Sequence, residues 1–124
     1  MSGSDARALS RSLLDLCRMR KLTIATAESC TGGLVAGALT DIPGSSDVID
    51  RGFVTYSNEA KTEMLGVPTA QLLQFGAVSA QVARSMAEGG WFRSLFHRVP
   101  VAQQPRMLVK RFLRGGVVAF IEEV

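Results

Sequence analysis

The hexapeptide Glu28-Ser29-Cys30-Thr31-Gly32-Gly33 crowds a carboxylate, two hydroxyls, a thiol and two glycines between apolar runs. Read as the start of a helix, it offers unpaired backbone N–H groups from about Cys30 to Gly33, and the glycines admit another molecule close to the backbone. Such a turn can hold a phosphate or stabilise the oxyanion of an acyl transfer, with Thr31 adding a hydroxyl donor. A plainer reading fits the same spacing, in which Ser29 and Thr31 cap the helix and the glycines only permit close packing. If Ser29 is a nucleophile it needs a base. The single histidine, His97, lies in a C-terminal stretch of different character, whereas Lys61 of "TYSNEAK" follows an apolar run much as Ser29 does. A cation in the first turn of a helix meets the positive end of the helix dipole, and partial burial lowers a lysine pKa further, toward the range where a neutral amine can accept a proton. An ordinary exposed lysine would also fit there. Tyr56 could hydrogen-bond the lysine or the serine, or pack as a half-buried strand residue. Glu28 is hard to explain as packing, because carboxylates are rarely buried without a partner. It either anchors Lys61 or orders the Ser29 turn. An ion pair with Lys61 would raise the lysine pKa and oppose a base role, so the two ideas compete.

The elements that must position these groups follow from periodicity. Leu9, Leu13, Leu14, Leu16 and Cys17 recur at helical spacing, predicting a helix over residues 4–20. "KLTIATAE" reads as a buried strand ending at Glu28, "GGLVAGALTDI" as a small-residue helix stopped by "PGSS", and "RGFVTYS" as a second strand. "NEAKTEMLG" is a short helix with Ser57 or Asn58 as N-cap and Gly66 as its end, Pro68-Thr69 begins another through Leu73, and Ser79 caps a helix that closes at Gly89-Gly90. Alternation of strand and helix favours an α/β layer arrangement, and places Ser29 and Lys61 at the carboxyl edge of the sheet, where ligands sit in such folds.

At 124 residues, with 47% hydrophobic and 20% charged, the chain is expected to be one globular domain. No apolar run approaches the roughly 18 residues of a membrane span, and the N-terminal segment does not resemble a secretion signal, so a cytoplasmic protein without membrane contact is expected. Cys17 and Cys30 are read as free thiols, and no metal-ligand constellation is evident, which makes a metal-free, cofactor-free mechanism the starting point. Lys and Arg number 8 against 9 Asp and Glu in residues 1–90 but 6 against 2 in residues 91–124. The basicity therefore belongs to the tail, which matches no nucleic-acid module, and nucleic acid is not expected as a partner. That tail also holds the only Trp and His and four of six Phe, so residues 1–90 are read as the α/β domain and 91–124 as a divergent basic tail, with a helix over Pro105–Leu113 and a terminal strand "GVVAFIEE".

Three segments, "TAESCTGGLVAGALTDIPGSS", "GFVTYSNEAKTEMLGV" and "FGAVSAQVARSMAEG", together resemble the carboxy-terminal domain of the competence-damage-inducible protein family, also known as the nicotinamide-nucleotide amidohydrolase family. The resemblance covers about residues 8–90. It implies a three-layer α/β/α sandwich, incomplete after residue 90, where the family's glycine-rich loop is not recognisable. It also implies a homo-oligomer that takes a pyridine nucleotide and hydrolyses the carboxamide of nicotinamide mononucleotide to nicotinate mononucleotide and ammonia. By the match of "ESCTGG" Ser29 would be the nucleophile, and by "YSNEAK" Lys61 its base with Tyr56 nearby. The substrate-binding turn of Glu28, Cys30, Thr31, Gly32 and Gly33 is read instead from the spacing itself, its helix-start amides being offered to an oxyanion or a phosphate.

Overall fold

A computed structural model describes residues 3–95, 112–113 and 117–123. Helix α1 (Gly3–Met19) leads into β1 (Leu22–Glu28), then α2 (Leu34–Thr40), a 3-10 turn (Ser45–Asp47) and β2 (Ile49–Val54). Helices α3 (Asn58–Leu65), α4 (Thr69–Phe75) and α5 (Ala80–Leu95) follow, and two further strands, β3 (Phe112–Leu113) and β4 (Val117–Glu123), complete a sheet of order β2-β1-β4-β3. Strands β1 and β2 are parallel, while β4 runs antiparallel to both β1 and β3. The terminal strand was legible in the sequence. Phe112 and Leu113, expected at the end of a helix, instead pair with Val118 and Val117 as strand, and the rest of that expected helix lies outside the described residues, as does His97.

The sheet is covered on both faces, giving the α/β/α layering. On one side Leu14 and Cys17 of α1 and Leu39 of α2 pack with Ile42 and Val48 on Ile24. On the other, Leu65, Leu72, Val82, Ala83, Met86 and Ala87 of α3 to α5 pack with Val67 on Ala27. Successive strand residues point to opposite faces, so Ile24 and Ala27 belong to different cores. Ile49 and Phe53 also face different cores although four residues apart. The register slips once between Ile24 and Ala25, pairing Ile24 with Ile49 but Ala25 with Arg51, and one such slip exchanges the faces of a strand. In α1 the buried stripe is Ser10, Leu14 and Cys17, whereas Leu9 and Leu16, expected inward, are exposed.

Helix α5 does not stop at Gly89-Gly90 but continues to Leu95. Glycine costs a helix about 1 kcal/mol in conformational freedom, and here one of the pair has a steric reason. A Cβ on Gly89 would lie 1.8 Å from the Leu65 carbonyl oxygen, so only glycine lets α5 pass the end of α3 this closely. The caps of α3 are as expected: Ser57 Oγ accepts from the Ala60 amide, and Gly66 ends the helix at φ 68°. Ser79 Oγ likewise accepts from the Val82 amide at the start of α5.

Candidate functional site

Strand β1 carries Glu28 to its end, and the chain turns out of the sheet at Ser29. Glu28 is fully buried. Its Oε1 accepts from the Thr31 hydroxyl, from the Gly33 amide at 2.9 Å and from the Val35 amide at 3.2 Å, while Oε2 accepts from the Ala36 amide at 3.0 Å. Burial pushes the carboxyl pKa up, but these four donors outweigh it and hold the group below its ordinary value. The anion at the start of α2 is thus the protein's own carboxylate. Expected ligand donors Thr31 and Gly33 are taken by Glu28, and the Gly32 amide by the Ser29 carbonyl at 3.0 Å, so they are not free to receive a phosphate. The amides of Cys30 and Thr31 make no hydrogen bond among the described residues. Gly32 and Gly33, at φ 64° and 115°, supply the left-handed backbone that folds the turn over Glu28.

Lys61 sits in the first turn of α3, the helix that follows β2, and is 2% exposed. Its Nζ donates to the carbonyl oxygens of Tyr56 and Ser57, each at 3.4 Å, and to Asn58 Oδ1 at 3.5 Å. Ser29 Oγ donates to the same Tyr56 oxygen at 3.3 Å. Burial pushes the Lys61 pKa below its ordinary value, against smaller opposing influences from Cys30 and Glu59. Glu28 does not enter: its carboxylate is spent on the Ser29 turn, which decides between the two roles open to it in the sequence. Tyr56 also differs from expectation. The residue is 72% exposed, and the part of it that holds Ser29 and Lys61 is the main-chain carbonyl, which any residue could provide.

Ser29, Cys30, Tyr56, Asn58, Lys61, Ala77 and Val78 line one cleft of about 380 Å³. Its size falls in the usual range for small-molecule sites, roughly 300–1,000 Å³. Asn58, Ala77 and Val78 are additions to the sequence reading. Asn58 carries a local signal, since three residues before Lys61 on a helix is a facing position. Ala77 and Val78 reach the cleft only through the packing of the α4–α5 loop, which no local pattern reveals. Among the described residues no group of three or more His, Cys, Asp or Glu side chains could hold a metal ion, and no helix is long and apolar enough to cross a membrane.

The chain matches known proteins over the part that builds this cleft. A family model, the CinA C-terminal domain, matches residues 6–97. A putative competence-damage inducible protein of Caldicellulosiruptor bescii is 50% identical over 93 residues, covering 75% of this chain and 23% of that protein. A CinA-like protein of Syntrophus aciditrophicus is 58% identical over 85 residues, covering 68% of this chain and 20% of that one. Among solved structures, the competence/damage inducible protein of Agrobacterium tumefaciens superposes with a TM-score of 0.70 at 56% identity, covering 72% of this chain and 54% of that chain. A CinA superfamily protein of Klebsiella pneumoniae 700603 gives a TM-score of 0.71 at 25% identity, covering 96% of this chain and 82% of that chain. The matched part of the chain therefore spans less than a quarter of the length of these curated relatives.

Proposed function

The chain belongs to the CinA C-terminal domain family, and we propose that it hydrolyses the carboxamide of nicotinamide mononucleotide to nicotinate mononucleotide and ammonia through a Ser29–Lys61 pair. The observation that carries this reading is the convergence of Ser29 Oγ and Lys61 Nζ on the Tyr56 carbonyl oxygen at the cleft. Substrate and reaction come from the motif resemblance; the geometry supports the roles. With its pKa lowered by burial, a neutral Lys61 takes the Ser29 proton as Oγ attacks the carboxamide carbon. The oxyanion that forms is offered the Cys30 and Thr31 amides, which have no other partner among the described residues. Lys61 then returns the proton to the departing nitrogen, ammonia leaves, and a nicotinoyl ester remains on Ser29. Water attacks that ester, giving its proton to Lys61, and the acid is released as the proton passes back to Oγ. Ammonia release from purified protein and the nucleotide tests the reading; release no greater than that of Ser29→Ala rejects it.

A second reading is favoured by the boundary of the family match, which leaves residues 98–124 outside it. On that reading the domain binds the nucleotide without turning it over. Titration calorimetry separates the two, because binding with no ammonia released supports the binding module. Assembly into a homo-oligomer belongs to the same proposal, and sedimentation measures it directly.

A further inference from the structure

Glu28 immediately precedes the candidate nucleophile, is fully buried, and makes no contact that brings it into the cleft. Its main-chain carbonyl accepts from the Thr55 amide at 2.9 Å, fixing the strand end to the segment that leads to Tyr56. Its side chain reaches forward across the turn to Thr31, Gly33, Val35 and Ala36. One residue therefore ties both strand ends and the start of α2 together, with Ser29 held between the tied points. A carboxylate has about four lone-pair sites on two oxygens, and here it meets four donors. A carboxamide of the same shape has one accepting oxygen, and its NH₂ would confront an amide N–H.

We infer that Glu28 is a positioning residue for the Ser29 nucleophile, its carboxylate acting as a built-in anion that clamps the Ser29–Ala36 segment so that Oγ meets the Tyr56 carbonyl beside Lys61. This rests on the amidohydrolase reading for its catalytic consequence, but not for its geometry. A clamp of this kind sets the aim of Oγ without touching the substrate, so its loss lowers kcat and leaves KM nearly unchanged. It also leaves Lys61 untouched, so the acid limb of the pH–rate profile keeps its position.

The test uses a fluorophosphonate probe that phosphonylates activated serines, releasing fluoride, alongside ammonia release from the nucleotide. In Glu28→Gln, confirmed folded by circular dichroism, labelling of Ser29 slows at least tenfold and kcat falls by a similar factor, with KM within twofold and the acid limb unshifted. Thr31→Val removes one of the four donors and keeps the fold; labelling slows about threefold. Folded Glu28→Gln labelled at the wild-type rate overturns the inference, and if that variant does not fold, wild-type labelling in Thr31→Val does so. Should wild-type protein label at Ser29 yet release no ammonia, the substrate assignment fails while the positioning role is still decided by the labelling rates. Wild-type protein that does not label at Ser29 at all overturns the inference along with the nucleophile.

Discussion

Ser29 Oγ and Lys61 Nζ donate to one and the same atom, the Tyr56 carbonyl oxygen, at 3.3 and 3.4 Å. Two residues 32 positions apart in the chain are brought together because β1 and β2 are parallel neighbours and each is followed by a helix on the same edge of the sheet. The shared oxygen holds the candidate nucleophile and base close without spending either on an ion pair.

Lys61 must lose its proton to act as a base, so activity rises with pH through its lowered pKa. Lys61→Arg keeps the charge but cannot be deprotonated, and turnover falls by about 10²-fold or more. Full activity in that variant would return Lys61 to a structural role.

The same burial has a stability cost of predictable sign. Lys61 binds its proton more weakly folded than unfolded, so the cost is fully present below the folded pKa and is relieved as pH rises toward the unfolded lysine value of about 10.4. Lys61→Met is expected to be inactive yet more stable at neutral pH by about 1 kcal/mol, a rise in Tm of roughly 4 °C. Calorimetry across pH 7 to 10 checks it: the advantage of the variant shrinks as pH rises.

Asn58 Oδ1 lies 3.5 Å from Lys61 Nζ at the start of α3, where an aspartate is well tolerated. Asn58→Asp adds to Cys30 and Glu59 a further group favouring the ammonium. The acid limb of the pH–rate profile then moves up by about 1 pH unit. An unmoved limb would mean that Lys61 does not set it.

Gly89 and Gly37 are both helical, and substitution separates their roles. Gly89→Ala drives a Cβ into the Leu65 carbonyl and is expected to cost about 3 kcal/mol in urea unfolding. At Gly37 nothing lies within 4 Å of a new Cβ, and alanine there stabilises α2 by roughly 0.5–1 kcal/mol.

Glu28 contributes stability above the unfolded carboxyl pKa and loses it as pH falls through its lower folded value. The stability difference between wild type and Glu28→Gln is therefore largest near neutrality and declines below about pH 4. A difference that does not change with pH would show that the Glu28 charge is not what the turn requires.

Much of this was legible locally. Ser57, Gly66 and Ser79 mark helix ends by their own side-chain or backbone chemistry, and the run Leu22–Glu28 reads as a buried strand because helices cover both of its faces. The sequence also shows that Glu28 needs a partner, but not which one, since the choice between Lys61 and the turn amides depends on where the chain goes after Gly33. Gly89 misleads for a related reason: a glycine read alone ends a helix, and only its contact with Leu65, 24 residues away in the chain, shows why this helix keeps it. Tyr56 misleads because the group that matters is its carbonyl, which leaves no trace in residue type.

Cys30 lies exposed in the same cleft beside Ser29, and a thiol there is the natural rival nucleophile. Rapid acid quench of the protein turning over nicotinamide mononucleotide, followed by mass mapping of the peptide that holds both residues, distinguishes them. Acyl transfer to Ser29 predicts an adduct there with the mass of the nucleotide less ammonia, absent in Ser29→Ala and retained in Cys30→Ala. Turnover that persists in Ser29→Ala, or an adduct carried by Cys30, would contradict it.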